Sequence, residues 1–186
     1  MKKKVLMIVG SMREESFNRQ FAKKAAALMK GAAEVSFLEY GDLPYMNQDI
    51  EFPVPEQVER VREEVKKADG IWFVTPEYNF SYPGVLKNLL DWLSRPLTPG
   101  DFMGETAISG KKVTISGAAG KSAAGGAIEK LRELLQFIRT ERMIGTETGV
   151  TLGMEAFMEN RFVLTEDSEK MLQKQAEEFL EFLNRS

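Results

Sequence analysis

Two apolar segments constrain the fold of this chain more than any other feature. Val5–Val9 and Ile71–Thr75 lack the polar alternation of a strand with one face in water. Each segment therefore predicts a strand buried on both faces, as in a parallel sheet covered by helices. Gly10 ends the first segment abruptly, and a polar loop follows it.

The rest of the chain alternates between strand and helix patterns. Further strands are predicted at Glu34–Glu39, at Lys112–Ser116 and, from a weaker pattern, around Met143 and Ile144. Apolar residues three or four apart predict helices between and after these strands. This order predicts one α/β domain over residues 1–186, with right-handed crossovers and helices on both faces of a parallel sheet.

The composition excludes several kinds of active site. The chain has no cysteine and no histidine, so it cannot form a disulfide, a thiol nucleophile, a Ser-His-Asp triad or a zinc site of the usual ligands. A demanding reaction would therefore need a bound cofactor. The net charge of -3 and the lack of a transmembrane-length apolar run predict a cytoplasmic protein without a nucleic-acid or membrane partner.

The first loop combines four polar side chains with a predicted helix start. Ser11, Arg13, Ser16 and Asn18 all lie within it, and Ser16 is placed to cap the helix that begins at Phe17. Free backbone N–H groups, the helix dipole and a guanidinium fork together suit an anion such as a phosphate monoester. The alternative is an ordinary strand-to-helix turn with a capping serine and a solvated arginine.

Two further loops follow strands and should reach the same edge of the sheet. Tyr78 and Phe80 offer apolar surface for a flat ring, and backbone N–H groups from Glu77 to Asn79 could bond the edge of that ring. The small residues Ser116–Gly120 would allow its close approach. A G-x-G-x-x-G motif is absent after the first strand, which favours a mononucleotide over a dinucleotide. Alternatively, Glu77 and Tyr78 are plain residues of the rim.

Two motifs resemble those of the NADPH-dependent FMN reductase family. Gly10–Asn18 resembles its G-S-x-R-x-x-S-x-N phosphate loop, and Pro76–Trp92 resembles its P-E-Y-N-x-S-x-P-G-x-L-K-N-x-x-D-W block. The likeness extends from about Lys4 to Thr140. The third loop departs from the family, because Gly117–Lys121 lacks the frequent proline.

The resemblance implies a fold, an activity and a set of site residues. The fold would be flavodoxin-like, a three-layer α/β/α sandwich with a five-stranded parallel sheet in the order 2-1-3-4-5. The activity would be a two-step hydride relay from NADPH or NADH through bound FMN to a small-molecule acceptor such as a quinone, an azo compound or a flavin. The residues implied to bind FMN are Ser11, Arg13, Ser16, Phe17 and Asn18 at the phosphate, and Pro76, Glu77, Tyr78, Asn79, Ser116 and Gly117 around the ring.

Several alternatives stay open at this point. The family is usually dimeric or tetrameric, which suggests a subunit interface for the broad apolar arc of Val85–Ser94, but burial under Arg95–Gly110 would explain the arc equally well. Tyr40–Pro55 is a long loop that either covers the sheet edge or serves function. A flavodoxin-type electron carrier, or a flavin-dependent sensor, would share the same cofactor without turning over a nicotinamide.

Overall fold

The computed structural model describes residues 2–185, with six strands and six helices in that part of the chain. The strands are β1 (Lys3–Val9), β2 (Ala33–Phe37), β3 (Gly70–Thr75), β4 (Lys112–Ala119), β5 (Glu141–Arg142) and β6 (Gly149–Thr151). The helices are α1 (Phe17–Leu28), α2 (Glu56–Lys67), α3 (Gly84–Leu93), α4 (Gly125–Phe137), α5 (Met154–Glu159) and α6 (Glu166–Asn184), with a short 3-10 turn at Gln48–Ile50.

The sheet is parallel and has the order β2-β1-β3-β4-β5, which confirms the predicted order. β6 is an addition to the prediction. β5 pairs with the start of β4, where Lys112 faces Glu141, and β6 pairs with its end, where Ala118 faces Val150. The fifth position of the sheet is thus filled by two short strands with an irregular segment between them.

Alternate residues of β1 face two separate apolar cores, which explains why the whole strand is apolar. Leu6 and Ile8 pack into a core shared with α2, α3 and α4. Val5, Met7 and Val9 pack into a second core shared with α1 and α6. Burial on both faces is the pattern that the sequence predicted for this strand.

The apolar arc of α3 is buried by the chain itself. Its buried residues, each at most 1% exposed, are Leu86, Leu89, Leu90, Trp92 and Leu93. The loop that contains Pro44 covers this helix, because the Pro44 carbonyl accepts hydrogen bonds from the Trp92 indole at 2.8 Å and from the Asn88 amide at 3.0 Å. These side chains are thus buried within the chain: Ala107 and Ile108 of the predicted Arg95–Gly110 cover share the core of the α3 leucines, and the loop that contains Pro44 is a second cover.

Glu51 anchors the far end of the same loop in a buried ionic cluster. Glu51 as a whole residue is 6% exposed, and its carboxylate receives two bonds from Arg95, Nε to Oε1 at 2.8 Å and Nη2 to Oε2 at 2.9 Å. Arg62, only 2% exposed, donates to the carbonyl of Trp92 at 3.3 Å. Burial lowers the pKa of Arg62, although Glu59 and Glu51 oppose that shift. The loop 40–55 is therefore a structural cover of α3.

Between residues 2 and 185, no helix has the length and apolar character needed to cross a membrane.

Candidate cofactor site

A cavity lies at the carboxyl edge of the sheet, where the three loops meet. Its volume is about 250 Å³. The residues that line this carboxyl-edge cavity are Ser11, Arg13, Ser16, Phe17, Asn18, Pro76, Glu77, Tyr78, Ala118, Ala119, Gly120, Leu152 and Phe157. Most of the residues predicted for the site are thus brought together.

The two serines of the first loop both stabilise its backbone. The Ser16 hydroxyl oxygen accepts the Arg19 N–H at 3.1 Å, which confirms Ser16 as the N-cap of α1. The Ser11 hydroxyl oxygen accepts the Arg13 N–H at 3.4 Å. Each oxygen acts as an acceptor in these bonds, so each hydroxyl proton is still available to a ligand. The N–H groups of the first turn, at Phe17 and Asn18, precede the intrahelical bonds and point the same way.

Arg13 lies at the mouth of the cavity and carries a fixed positive charge. Its guanidinium carbon lies 4.9 Å from the centre of the Phe17 ring, within cation–π range. Its Nη2 donates a hydrogen bond to Asn160 Oδ1. The guanidinium is therefore held beside the two serines by groups from both ends of the chain.

Asn18 joins the first loop to the end of β4. The β3–β4 ladder stops at the pair of Thr75 and Gly117, so the peptide group of Ala118 has lost its neighbour in β3. The Asn18 amide takes that place, donating from Nδ2 to the Ala118 carbonyl at 3.0 Å and accepting the Ala118 N–H on Oδ1 at 2.9 Å. Asn18 was predicted to hold a phosphate, but most of its amide is used to fix the cavity wall.

The second loop is a tight turn with an exposed aromatic tip. Tyr78 and Ser81 exchange two backbone bonds, at 2.9 and 3.1 Å, across a turn whose central residues Asn79 and Phe80 have φ of 52° and 58°. Two positive φ values are typical of a type I′ turn. The Tyr78 N–H is therefore occupied, and Asn79 lies at the tip rather than among the cavity-lining residues. Tyr78 and Phe80 are 54% and 71% exposed.

The side chain of Glu77 lines the cavity and reaches the start of α4. Its Oε2 accepts the Ala127 N–H at 3.0 Å. Burial acts to raise the pKa of Glu77, but hydrogen bonds from the Ser122 hydroxyl and from the backbone of Ala127 and Gly126 outweigh it, and the pKa lies below its usual value. The carboxylate thus ties the second loop to the third.

The third loop begins later than the sequence predicted, because β4 continues to Ala119. Ser116 is fully buried, where its hydroxyl accepts from the Trp72 indole at 3.0 Å and donates to Gln175 Oε1 at 2.9 Å. A Cβ on Gly117 would lie 2.6 Å from the Thr75 carbonyl oxygen. Ser116 and Gly117 do not line the cavity. Ala118–Gly120 line it instead, at the place predicted for Ser116 and Gly117.

Two cavity residues, Leu152 and Phe157, were missed from the sequence. They come from the end of the chain, after β6, where no motif was found. The Phe157 ring meets the Phe17 ring edge-on, with centroids 5.3 Å apart. The exposed apolar side chains of α5, Met154, Phe157 and Met158, are the sequence feature that could have pointed to a wall here.

The 2′-phosphate of NADPH would need a free arginine beside the flavin, and three arginines of the chain are engaged elsewhere. Arg95 pairs with Glu51. Arg132 lies 2.6 Å from Glu147, and Arg139 donates to the Gly104 carbonyl at 3.1 Å. None of the three lines the carboxyl-edge cavity.

A larger cleft, of about 660 Å³, lies at the opposite edge of the sheet. Two of its five lysines are engaged with the carboxyl ends of helices. Lys111 Nζ donates to the carbonyls of Lys66 and Ala68 at 2.7 and 2.8 Å, and Lys112 Nζ donates to the Phe182 carbonyl at 3.0 Å. This cleft has the charge of an anion site, but Lys111 and Lys112 serve the fold, and the smaller cavity has the better donor geometry.

FMN fits the donors of the carboxyl-edge cavity. Hydroxyls, helix N-terminal amides and one guanidinium meet at its first-loop end, the donor set that a phosphate monoester requires. Pro76 and Tyr78 line the other end, where a flat ring would lie. Because the cavity is smaller than the roughly 300–1,000 Å³ typical of pockets that enclose a ligand, part of the flavin would lie outside it.

Comparisons with known proteins agree with this geometry. A sequence model described as NADPH-dependent FMN reductase matches residues 3–148. A 2-hydroxy-1,4-benzoquinone reductase from a Burkholderia species is 36% identical over 91% of this chain and 90% of its own length. An NAD(P)H-dependent FMN reductase from Pseudomonas aeruginosa is 34% identical over 92% and 90%.

A solved structure has the same fold over nearly its whole length. The flavoenzyme FerB, an NAD(P)H:(acceptor) oxidoreductase from Paracoccus denitrificans, superposes with a TM-score of 0.85 at 32% identity and covers 97% of both chains. Sequence and structure thus lead to the same assignment, and the chain belongs to the NADPH-dependent FMN reductase family.

Proposed function

We propose that this NAD(P)H-dependent FMN oxidoreductase binds its cofactor in the carboxyl-edge cavity and uses a quinone as its electron acceptor. The observation that carries the proposal is the convergence of phosphate donors and ring-sized apolar surface in one cavity. FMN, when bound, would supply the redox chemistry, namely hydride transfer from a nicotinamide and electron transfer to an acceptor. The chain contributes binding, orientation and control of access.

The first loop would hold the phosphate of FMN. Ser11, Ser16 and the N–H groups of Phe17 and Asn18 donate to its oxygens, and Arg13 balances its charge. The Asn18 amide, bonded to Ala118, fixes the distance between the loop and β4. This assignment predicts that the site prefers FMN over riboflavin, which lacks the phosphate.

The second and third loops would hold the ring. Pro76, Glu77 and Tyr78 lie along one edge, and the small residues Ala118–Gly120 allow close approach on the other. Asn79, at the tip of the turn, is proposed to meet the second molecule instead. Ser116 and Gly117 would support this wall from behind.

A quinone suits the exposed surface beside the ring site. Tyr78, Phe80 and Phe157 are more than half exposed and lie next to or within the cavity lining. Flat aromatic acceptors can stack on such side chains. The relative from Burkholderia, named for benzoquinone reduction, supports the same acceptor class.

Steady-state kinetics test the proposed activity. Protein reconstituted with FMN should oxidise NADPH or NADH when a benzoquinone is added, and each nicotinamide is tested separately. A rate with an azo dye or free FMN that exceeds the quinone rate would contradict the proposed acceptor. Absence of turnover with all three would contradict the enzyme and favour an electron carrier.

Arg13→Ala tests the proposed phosphate site. Loss of a charge-assisted bond should weaken FMN by roughly 1.5–3 kcal/mol, with little change for riboflavin. Binding is measured from the fluorescence of each flavin. An unchanged FMN dissociation constant would mean that the phosphate binds elsewhere.

We also propose that the protein works in the cytoplasm, the compartment that supplies NAD(P)H.

We propose further that the chain forms a homodimer or homotetramer. Phe102, Met103 and Phe137 form an exposed apolar patch, at 80%, 84% and 83% exposure, beside one surface cleft. Burial of this patch against a second copy would be favourable. Light scattering should give a multiple of the chain mass that Phe137→Glu reduces, and a monomer at all concentrations would contradict the proposal.

A further inference from the structure

We propose that Asn160 is a positioning residue for Arg13, so that a segment outside both sequence motifs sets the affinity for the phosphate of FMN. The inference rests on the proposed FMN site. The family match ends at residue 148, so neither motif assigns a role to the segment that contains Asn160.

Arg13 is held between α1 and the segment that follows α5. Asn160 Oδ1 accepts a hydrogen bond from Arg13 Nη2. The guanidinium lies over the Phe17 ring at 4.9 Å, and the Phe157 ring packs on the same Phe17 at an interplanar angle of 85°. The guanidinium therefore has two partners, one aromatic and one polar, before a ligand binds.

Asn160 is itself fixed in position. It ends α5 in the left-handed conformation, with φ 51° and ψ 36°, which asparagine adopts more easily than most residues. Gln20 of α1 holds the backbone at Asn160 and again two residues further along the chain. Its Nε2 donates to the Asn160 carbonyl at 3.2 Å, and its Oε1 accepts the Phe162 N–H at 2.8 Å.

This arrangement should increase affinity for a phosphate without touching it. An exposed arginine loses rotamer entropy when it binds a ligand, and a side chain that is already restrained loses less. A guanidinium has five N–H donors, so the bond to Asn160 leaves the others for phosphate oxygens. Asn160 thus acts through Arg13.

The test uses Asn160→Gly, because glycine adopts the left-handed conformation without strain and lacks the side chain that carries the Oδ1 acceptor. FMN should bind roughly 3- to 10-fold more weakly, and riboflavin should change by less than about twofold. Arg161→Ala is the control, because the Arg161 side chain is exposed and pairs with Glu159. It should leave the dissociation constants of FMN and riboflavin unchanged. Equal weakening of FMN and riboflavin would overturn the inference.

A double-mutant cycle separates positioning from general damage. In an Arg13→Ala background, Asn160→Gly should cause no further loss of FMN affinity. Equal losses in both backgrounds would overturn the inference. If Asn160→Gly fails to fold, Gln20→Ala takes its place in the same cycle, with the same selective loss expected and the same contrary result.

The cycle also distinguishes this inference from the proposed site. If Arg13→Ala weakens FMN but Asn160→Gly does not, only the role of Asn160 is refuted. If Arg13→Ala itself has no effect on FMN, the phosphate site is refuted and the inference fails with it.

Discussion

Replacing Asn18 with alanine should destabilise the protein even when FMN is absent. The substitution removes two hydrogen bonds, at 2.9 and 3.0 Å, from the peptide groups of Ala118, a residue that is only 1% exposed. A hydrogen bond contributes about 0.5–1.5 kcal/mol net, but a buried N–H or C=O left unpaired costs about 1–3 kcal/mol instead, so the two groups of Ala118 together would cost roughly 2–6 kcal/mol. Water from the adjacent cavity can reach part of this site and will reduce that cost. The expected loss is therefore roughly 2–4 kcal/mol.

Urea unfolding without FMN measures this loss directly. Asn184→Ala is the matched control, because Asn184 is an exposed asparagine with one bond to the Leu180 carbonyl, and it should change stability by less than about 0.5 kcal/mol. Asn18→Asp adds a second test, since it keeps the shape but sets an oxygen against the Ala118 carbonyl. If Asn18→Ala costs no more than the control, Asn18 does not replace β3 as the partner of Ala118.

Three further substitutions test other parts of the structure. Glu51→Ala leaves Arg95 without its partner. The Glu51 and Arg95 side chains are 8% and 25% exposed, so the free energy of unfolding measured in urea should fall by roughly 2–4 kcal/mol, slightly less than for a fully buried pair. A loss under about 0.5 kcal/mol would match a surface pair instead. Ser116→Ala should lower stability by about 1–2 kcal/mol but leave the FMN dissociation constant unchanged, and a selective loss of FMN would return Ser116 to the flavin site. Glu77, with its pKa below the unfolded value of about 4.3, stabilises the fold above that pH and loses this contribution as the pH falls through the folded pKa. Glu77→Gln should therefore flatten the fall in unfolding free energy below about pH 4.5, and an unchanged acid profile would contradict the bonds to Ser122 and Ala127.

The fold was predictable where local pattern and burial agree. β1 is apolar along its length because both of its faces are covered, and that pattern is visible without a structure. The N-cap role of Ser16 was equally predictable, because an N-cap depends only on the residues beside it. The end of β4 was not predictable. Gly117–Ala119 have weak strand propensity and gain their partners from Asn18 and β6, which are distant in sequence.

The site residues were predictable where they belong to a local motif. They were not predictable where the cavity wall is formed by residues distant in sequence. The Asn79-Phe80 turn lacks the Asn-Gly pattern that marks type I′ turns, so its geometry was missed. Phe157 reaches the cavity only because α5 packs on the start of α1. No spacing pattern in the sequence predicts that contact.

A crystal structure with bound FMN tests the central claim most directly. The account predicts the phosphate beside Ser11, Ser16 and the first turn of α1, with the ring along Pro76 and Tyr78. FMN bound in the lysine-lined cleft at the opposite edge of the sheet, or with its phosphate away from the first loop, would contradict it.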